Sequence, residues 1–481
     1  MQFLADIWPY IFAALSFALT IVTTIHVILN KEDTGSAVAW AGVIWVAPII
    51  GPVSYVLFGI NRINRRAVAR RQAMWRFTAV EDSPEEIARE LEEVAPQGFA
   101  PLVELVDKIT RRRVLSGNRF QPLANGDTAY PEMLAAIRSA ERSVTLTTYI
   151  FNNDSVGREF IDALALAARR GVEVRVMIDA AGTRYSFPAR SIMRPLHQAG
   201  IRAARFMPTW LPWRMAYTNL RSHRKVLVVD GRLGFTGGMN ISEKNRAHAN
   251  HARAIQDLHF RVEGPVVRHL QEVFVEDWGF TTGETLEGEV WFPPLSAAGP
   301  SLARGIDDGP DDTFDRIRQI AFGAITCAQR SIAIVTPYFL PGQALVSALT
   351  TAAMRGVRVD IVLPAENNLL FVQWACMAQL EPLLKWDCRV WLTPPPFDHT
   401  KLMVVDGGWT LFGSANWDPR SLSLNFEFDV ECYDQSFADE MSRLIDAKIA
   451  VARRLLLQDV RGRSLPVKLR DGVMRLFSPY L

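Results

Sequence analysis

The chain has 481 residues, 49% hydrophobic and 22% charged, with 53 Lys plus Arg against 51 Asp plus Glu. That length predicts two or three domains, the apolar content excludes a disordered chain, and the near-neutral charge excludes a uniformly basic nucleic-acid binder. Cys327, Cys376, Cys388 and Cys432 show no CxxC spacing, which excludes a disulfide scaffold and reads as reduced thiols.

The first elements are apolar. Tyr10 to Leu29 contains no Asp, Glu, Lys or Arg, and a second uncharged run extends from Thr34 to Asn61. Crossing a hydrocarbon core takes about 20 helical residues, so residues 1–60 are expected to form a two-helix transmembrane hairpin. Asp6 and the lack of a basic side chain before Tyr10 argue against a cleaved signal peptide. Pro48, Gly51 and Pro52 predict a kink in the second run without forbidding a span. Six arginines follow between Arg62 and Arg76 with no acid among them, whereas the inter-helix loop has Lys31 as its single basic residue. The positive-inside rule then puts the N-terminus and the bulk of the chain on the cytoplasmic side of a multi-pass protein, with the arginines also suited to anionic headgroups. Residues 61–120 are expected to be a basic juxtamembrane segment followed by a connector helix, with Ser83 as N-cap, Pro84 in the first turn and Glu86 closing a capping box. Residues 77–481 carry 46 basic and 48 acidic side chains, a balance that favours a lipid partner and argues against nucleic acid.

Beyond about Phe120 the chain repeats itself. Ser143-Val-Thr-Leu-Thr-Thr-Tyr-Ile-Phe151 matches Ser331-Ile-Ala-Ile-Val-Thr-Pro-Tyr-Phe339, and each run is followed by a helical stretch ending in Arg-Gly-Val and then by a second buried strand (Glu173 to Asp179, Arg358 to Leu363). Strand, helix, strand with short apolar strands predicts an α/β fold whose sheet is covered on both faces. Two halves are expected at 121–285 and 311–481, separated by a Gly-, Pro- and acid-rich linker at 286–310.

The motif that carries chemistry is also doubled. His223-Arg-Lys225-Val-Leu-Val-Val-Asp230 and His399-Thr-Lys401-Leu-Met-Val-Val-Asp406 share the pattern His-x-Lys-x4-Asp. Composition alone gives about 0.01 chance matches to that pattern. Gly237, Gly238 and Asn240 follow the first at the same offsets as Gly413, Ser414 and Asn416 follow the second. Strand alternation puts His223 beside Lys225 and His399 beside Lys401 on one face, and Asp230 and Asp406 on the other, where a structural role is expected. Two facing His-Lys pairs suit a phosphodiester. One imidazole attacks phosphorus while the other protonates the departing alkoxide and later activates the incoming hydroxyl. Lys225 and Lys401, with Asn240 and Asn416 and the neighbouring Gly238 and Ser414, are expected to hold the phosphoryl oxygens without a metal or other cofactor. Asp257 and Glu427, on the next apolar strand of each half, are candidates to orient the histidines and set their proton affinities apart.

With these residues in view, the chain resembles the phospholipase D superfamily and, within it, the bacterial cardiolipin synthases. The resemblance rests on the doubled motif, on Arg221 to Lys225, Thr236 to Ile241, Asp277 to Gly283, Thr336 to Phe339, Gly413 to Ser421 and Leu424 to Glu427, and on the arginine-flanked hairpin and the closing Arg475 to Leu481. It implies two pseudo-symmetric α/β/α halves sharing one active site, and an enzyme of the bacterial inner membrane. It further implies a phosphatidyl group carried on one histidine, His223 by the family's usual assignment, released glycerol, and a second phosphatidylglycerol as acceptor to give cardiolipin, with a homo-oligomer compatible with the pattern.

Weaker signals remain. Trp210-Leu-Pro-Trp213 reads as a loop packed in the core or dipping into a membrane interface, and Asn368 to Leu380 as a buried helix or one that meets acyl chains. His248-Ala-Asn-His251 lacks metal-ligand spacing. Asp418, Arg420 and Ser421 either brace the second Gly-Ser-x-Asn loop or bind a headgroup.

Overall fold

The computed structural model describes residues 2–31, 34–59, 84–95, 98–182, 191–207, 221–247, 254–310 and 315–478. The arginine cluster, Ser83, the Trp210–Trp213 segment and His248 to His251 lie outside the described residues.

The chain divides into an N-terminal helical unit and an α/β body. In the helical unit a 29-residue helix runs from Gln2 to Asn30. Its stretch Ile7–Asn30 has a mean hydropathy of 2.2 and is long and apolar enough to cross a membrane. The second apolar run differs from the expected continuous span. It forms a 13-residue helix, Thr34–Val46, which is interrupted around Pro48 and resumes at Ile50–Ser54 and Tyr55–Gly59. Proline lacks the N–H that would continue the ladder, and Gly51 passes so close to Ile44 that a Cβ there would lie 2.5 Å from the Val43 carbonyl oxygen. The two runs are held together by the His26 Nδ1 to Tyr55 hydroxyl hydrogen bond (2.9 Å), by the Phe17–Trp45 ring contact and by buried Val27 and Ile44.

Among the described residues the body has seventeen strands: β1 Leu115–Ala124, β2 Ser143–Thr148, β3 Glu173–Asp179, β4 Arg202–Phe206, β5 Val226–Val229, β6 Leu233–Gly237, β7 Ile255–Gln256, β8 Leu258–Glu263, β9 Ser301–Asp308, β10 Ser331–Val335, β11 Arg358–Pro364, β12 Arg389–Thr393, β13 Phe397–Asp398, β14 Leu402–Val405, β15 Trp409–Gly413, β16 Glu427–Tyr433 and β17 Arg453–Leu455. Fifteen of them form one sheet in the order β17-β12-β11-β10-β14-β15-β16-β9-β1-β8-β6-β5-β2-β3-β4. Read outward from the β9–β1 pair, the two sides repeat: β1-β8-β6-β5-β2-β3-β4 on one and β9-β16-β15-β14-β10-β11-β12 on the other, with β17 added at the far edge. The β2–β3–β4 and β10–β11–β12 strands are parallel and joined by crossovers such as the helices Ser155–Arg169 and Gln343–Met354.

The expected linker at 286–310 is corrected here. Its last part is β9, buried throughout, which pairs with β16 from Glu427↔Asp308 to Tyr433↔Leu302 and with β1 at Leu115↔Ala303 and Asn118↔Ser301. Each half therefore begins earlier than expected, at β1 and at β9. Gly305 and three charged residues in Ser-Leu-Ala-Arg-Gly-Ile-Asp-Asp hide the apolar alternation that marks a strand. A shared middle core (Val226, Val228, Phe260, Val404, Phe412, Phe428) lies between the two outer cores of the halves.

Candidate active site

β5 and β14 consist of four buried aliphatic residues each, so they are rigid rods that fix what precedes and follows them. The residue after each is the motif aspartate, in left-handed backbone at φ +53° for Asp230 and +52° for Asp406. Asp230 accepts hydrogen bonds from the backbone N–H groups of Glu141, Arg142 and Ser143. Asp406 does the same for Gln329, Arg330 and Ser331. Both carboxylates thus tie the end of one strand to the start of its neighbour, β2 or β10, and neither lines the cavity described below.

The residues before the strands carry the histidines, and each is handed to the opposite half. The His223 N–H donates to the Phe426 carbonyl (2.8 Å), next to a Ser222–Phe426 bridge. The His399 N–H donates to the Gln256 carbonyl (2.7 Å), next to the short parallel β7–β13 pair. In consequence the orienting carboxylates cross over. His223 Nδ1 lies 3.1 Å from Glu427 Oε2, and His399 Nδ1 lies 2.8 Å from Asp257 Oδ2. A carboxylate only accepts, so each Nδ1 carries the proton and each Nε2 is left with its lone pair.

The two carboxylates are supported differently. The Ser414 hydroxyl donates to Glu427 Oε2 (2.6 Å) and Asn425 Nδ2 to Oε1 (3.2 Å). Gly238 occupies the place equivalent to Ser414, and a Cβ there would lie 2.2 Å from Asp257 Oδ1. Its lack of a side chain makes room for that carboxylate. Gly238 and Ser414 were expected to hold phosphoryl oxygens; the structure puts both behind the carboxylates and off the cavity lining. Burial pushes Asp257 up to about 6, whereas His223, Lys225 and the Ser414 hydroxyl outweigh burial and lower Glu427.

Lys225 and Lys401 are buried beneath the imidazoles, their ammonium groups donating to the carbonyl oxygens of His223 and His399. Burial lowers Lys225 to about 7 and Lys401 to about 8, against the attraction of Glu427 and Asp257. Desolvation lowers His223, and desolvation together with Lys401, Lys225 and His223 puts His399 well below its ordinary value. Both shifts favour the neutral imidazole.

His223, His399, Asn240 and Asn416 line one cavity of about 470 Å³, together with Arg221, Asp418, Arg420, Ser421 and Asn425. Asn240 Oδ1 accepts from the Ile150 N–H, which leaves its amide NH2 to the cavity, and Asn416 Nδ2 donates to the Ser421 hydroxyl. Asp418 caps the helix Pro419–Ser423 through the Arg420 and Ser421 N–H groups, so it braces the loop and lines the cavity at once. The sequence reading missed Tyr149 and Tyr338, which stand edge-on to His223 (5.2 Å) and His399 (6.2 Å). Their signal was present, since the two tyrosines belong to the repeated strand runs. Ser242, Lys244 and Asn245 on the first-half wall were also missed.

The same architecture recurs in known proteins. The family described as "Cardiolipin synthase, PLD-like domain" matches residues 133–278 and 322–449. The chain belongs to this family. A second family, "Phospholipase_D-nuclease N-terminal", matches residues 18–59. A cardiolipin synthase of Geobacillus kaustophilus is 31% identical across 98% of this chain and 94% of its own length. A cardiolipin synthase A of Pseudomonas fluorescens is likewise 31% identical, across 99% of this chain and 98% of its own. Among solved structures, the phosphatidylserine synthase of Haemophilus influenzae superposes with a TM-score of 0.62 at 14% identity, covering 79% of this chain and all of its own, a likeness of fold. The family match spans both halves, each with one histidine of the crossed pairs.

Proposed function

We propose that the chain is a membrane-anchored phosphatidyltransferase that joins two phosphatidylglycerol molecules into cardiolipin and releases glycerol. The observation that carries the reading is the pair of crossed imidazole–carboxylate contacts opening onto one cavity. The near-full-length likeness to cardiolipin synthases supports the choice of substrate.

The anionic phosphodiester enters a site with two lysines whose charge is finely balanced, and its negative charge favours their protonated forms. One imidazole, His223 by the family resemblance, attacks through the Nε2 lone pair. The bound anion also raises the proton affinity of the second imidazole, which takes a proton from solvent; a nitrogen–phosphorus bond then forms, the phosphorus–oxygen bond to glycerol breaks, and this imidazolium gives its proton to the glycerol oxygen. That imidazole then takes the proton of a hydroxyl on the second phosphatidylglycerol, whose oxygen displaces the histidine nitrogen from phosphorus. The carboxylate behind each ring stabilises the imidazolium and fixes its tautomer. Asn240, Asn416 and Arg221 lie where they contact the headgroups, and the buried lysines act on the phosphoryl charge through the rings above them.

The catalytic halves lie on the cytoplasmic side, held by a two-segment anchor with the arginine cluster at its exit, and the acidic balance beyond residue 76 leaves nucleic acid outside the partner set. Reconstitution with phosphatidylglycerol as the sole lipid is expected to yield cardiolipin and glycerol; phosphatidic acid without cardiolipin would mean that water is the acceptor. His223→Ala and His399→Ala should each abolish turnover while leaving the protein folded and inserted. Substantial turnover by either variant overturns the two-histidine mechanism.

A further inference from the structure

The helix Leu465–Leu476 has two faces in use and one left over. Met474 packs against the buried cluster of Leu340 with Val372 and Ala375 of the helix Leu370–Met377, and the Arg470 guanidinium stacks over the Trp374 ring at 4.2 Å. Leu465, Leu469, Val473 and Leu476 share a different stripe, within about 80° on a wheel of 100° per residue, and all four are exposed, Leu476 by 73%. Next to them the start of the neighbouring helix exposes Leu369, Leu370 and Phe371, and Phe477 closes the end of the stripe. Eight large apolar side chains on two packed helices form one uncovered ridge, far more than scattered surface leucines would give.

The ridge runs into the active site. Leu369 and Val372 line the cavity that holds both histidines. Asn368, one residue before the ridge, accepts the Tyr338 hydroxyl (2.8 Å), and Tyr338 stands against the His399 ring. The charge around the ridge is net positive: residues 453–475 contain seven basic and two acidic side chains in a chain whose net charge is +2, and the pairing of Arg453 with Asp459, Arg461 with Glu381, and Arg463 and Arg470 with Asp471 leaves that excess in place. Like charge of that size opposes a second copy docking ridge to ridge, and it complements an anionic lipid surface.

We infer that the ridge made by Leu369 to Phe371 and the helix Leu465–Leu476 lies in the acyl region of an anionic membrane leaflet, so that the cavity takes its lipids without their leaving the bilayer. This rests on the functional reading above for the identity of the substrate. Basic side chains at the rim contact headgroups, the leucines and Phe371 enter among the chains, and a diacylglycerol moiety slides past Leu369 while its phosphate reaches the histidines.

The full-length chain in nanodiscs of tritiated phosphatidylglycerol tests this, with p-benzoylphenylalanine replacing Phe371 or Phe477 and, as a control, the exposed Phe322 of the helix Arg316–Cys327. Each variant is first checked for the wild-type thermal transition. Irradiation is expected to give at least ten times more lipid adduct at Phe371 and Phe477 than at Phe322. Equal labelling at all three positions overturns the inference, as does an adduct to a second copy of the chain in place of lipid. The adduct is read independently of the product formed, so phosphatidic acid without cardiolipin in the reconstitution with phosphatidylglycerol would overturn the functional reading and leave the ridge result standing.

Discussion

Glu427 and Asp257 meet the same kind of ring with different support. Glu427 takes hydrogen bonds from the Ser414 hydroxyl and Asn425, whereas Asp257 fills the space that a side chain at Gly238 would take and accepts one from the Leu258 N–H. Either carboxylate, once made neutral, no longer stabilises an imidazolium. Glu427→Gln and Asp257→Asn should each lower kcat by about 10²–10⁴-fold with KM little changed; an equal rise in KM would mean that these carboxylates serve binding. The serine hydroxyl is one of the groups that lower Glu427. Its removal in Ser414→Gly lets that carboxyl rise, so the acid limb of the pH–rate profile moves to higher pH. A limb that stays in place would detach Ser414 from catalysis. From sequence, Asp257 and Glu427 were visible as acids on matching strands. Which histidine each serves was not, because the partners are 142 and 204 residues apart and belong to opposite halves. Gly238 was visible through the repeat but was expected to hold phosphoryl oxygens, because the carboxylate that needs its missing side chain comes from another strand.

At the scale of elements, a strand is useful to the site only if its ends are tied down. Asp230 and Asp406 do this by gathering three backbone N–H groups each in a left-handed turn. Asp230→Ala should cost about 1–3 kcal/mol from unpaired donors, seen as a lower midpoint in denaturant. Asp230→Asn should lose less, since asparagine tolerates that backbone. Loss of turnover without loss of stability would contradict the assignment. The doubled motif made these strands legible, as branched aliphatic runs with the same punctuation twice. β9 was illegible because its charges are satisfied by distant partners: Arg304 pairs with Glu431 at 2.6 Å, and the Asp308 carboxylate accepts the Ile317 N–H. The break near Pro48 was foreseen as a kink and is a stronger interruption, because Gly51 lets the chain fold back onto Ile44.

For the molecule as a whole, the β1–β9 pair and the two crossed contacts make the halves one body. Hydrogen exchange should therefore show the strands of both halves opening in a single cooperative step; a half that exchanges ahead of the other would contradict this. A chain of half the length with this strand order would have to pair with its own twin to complete such a site. Identical twins must carry identical residues on both sides of the pocket. Two halves within one polypeptide are free of that obligation. Glycine at 238 and serine at 414, aspartate at 257 and glutamate at 427, are differences that no symmetric dimer can hold. Continuity of the chain thus lets each imidazole have its own surroundings, and with them the freedom to take up a separate task.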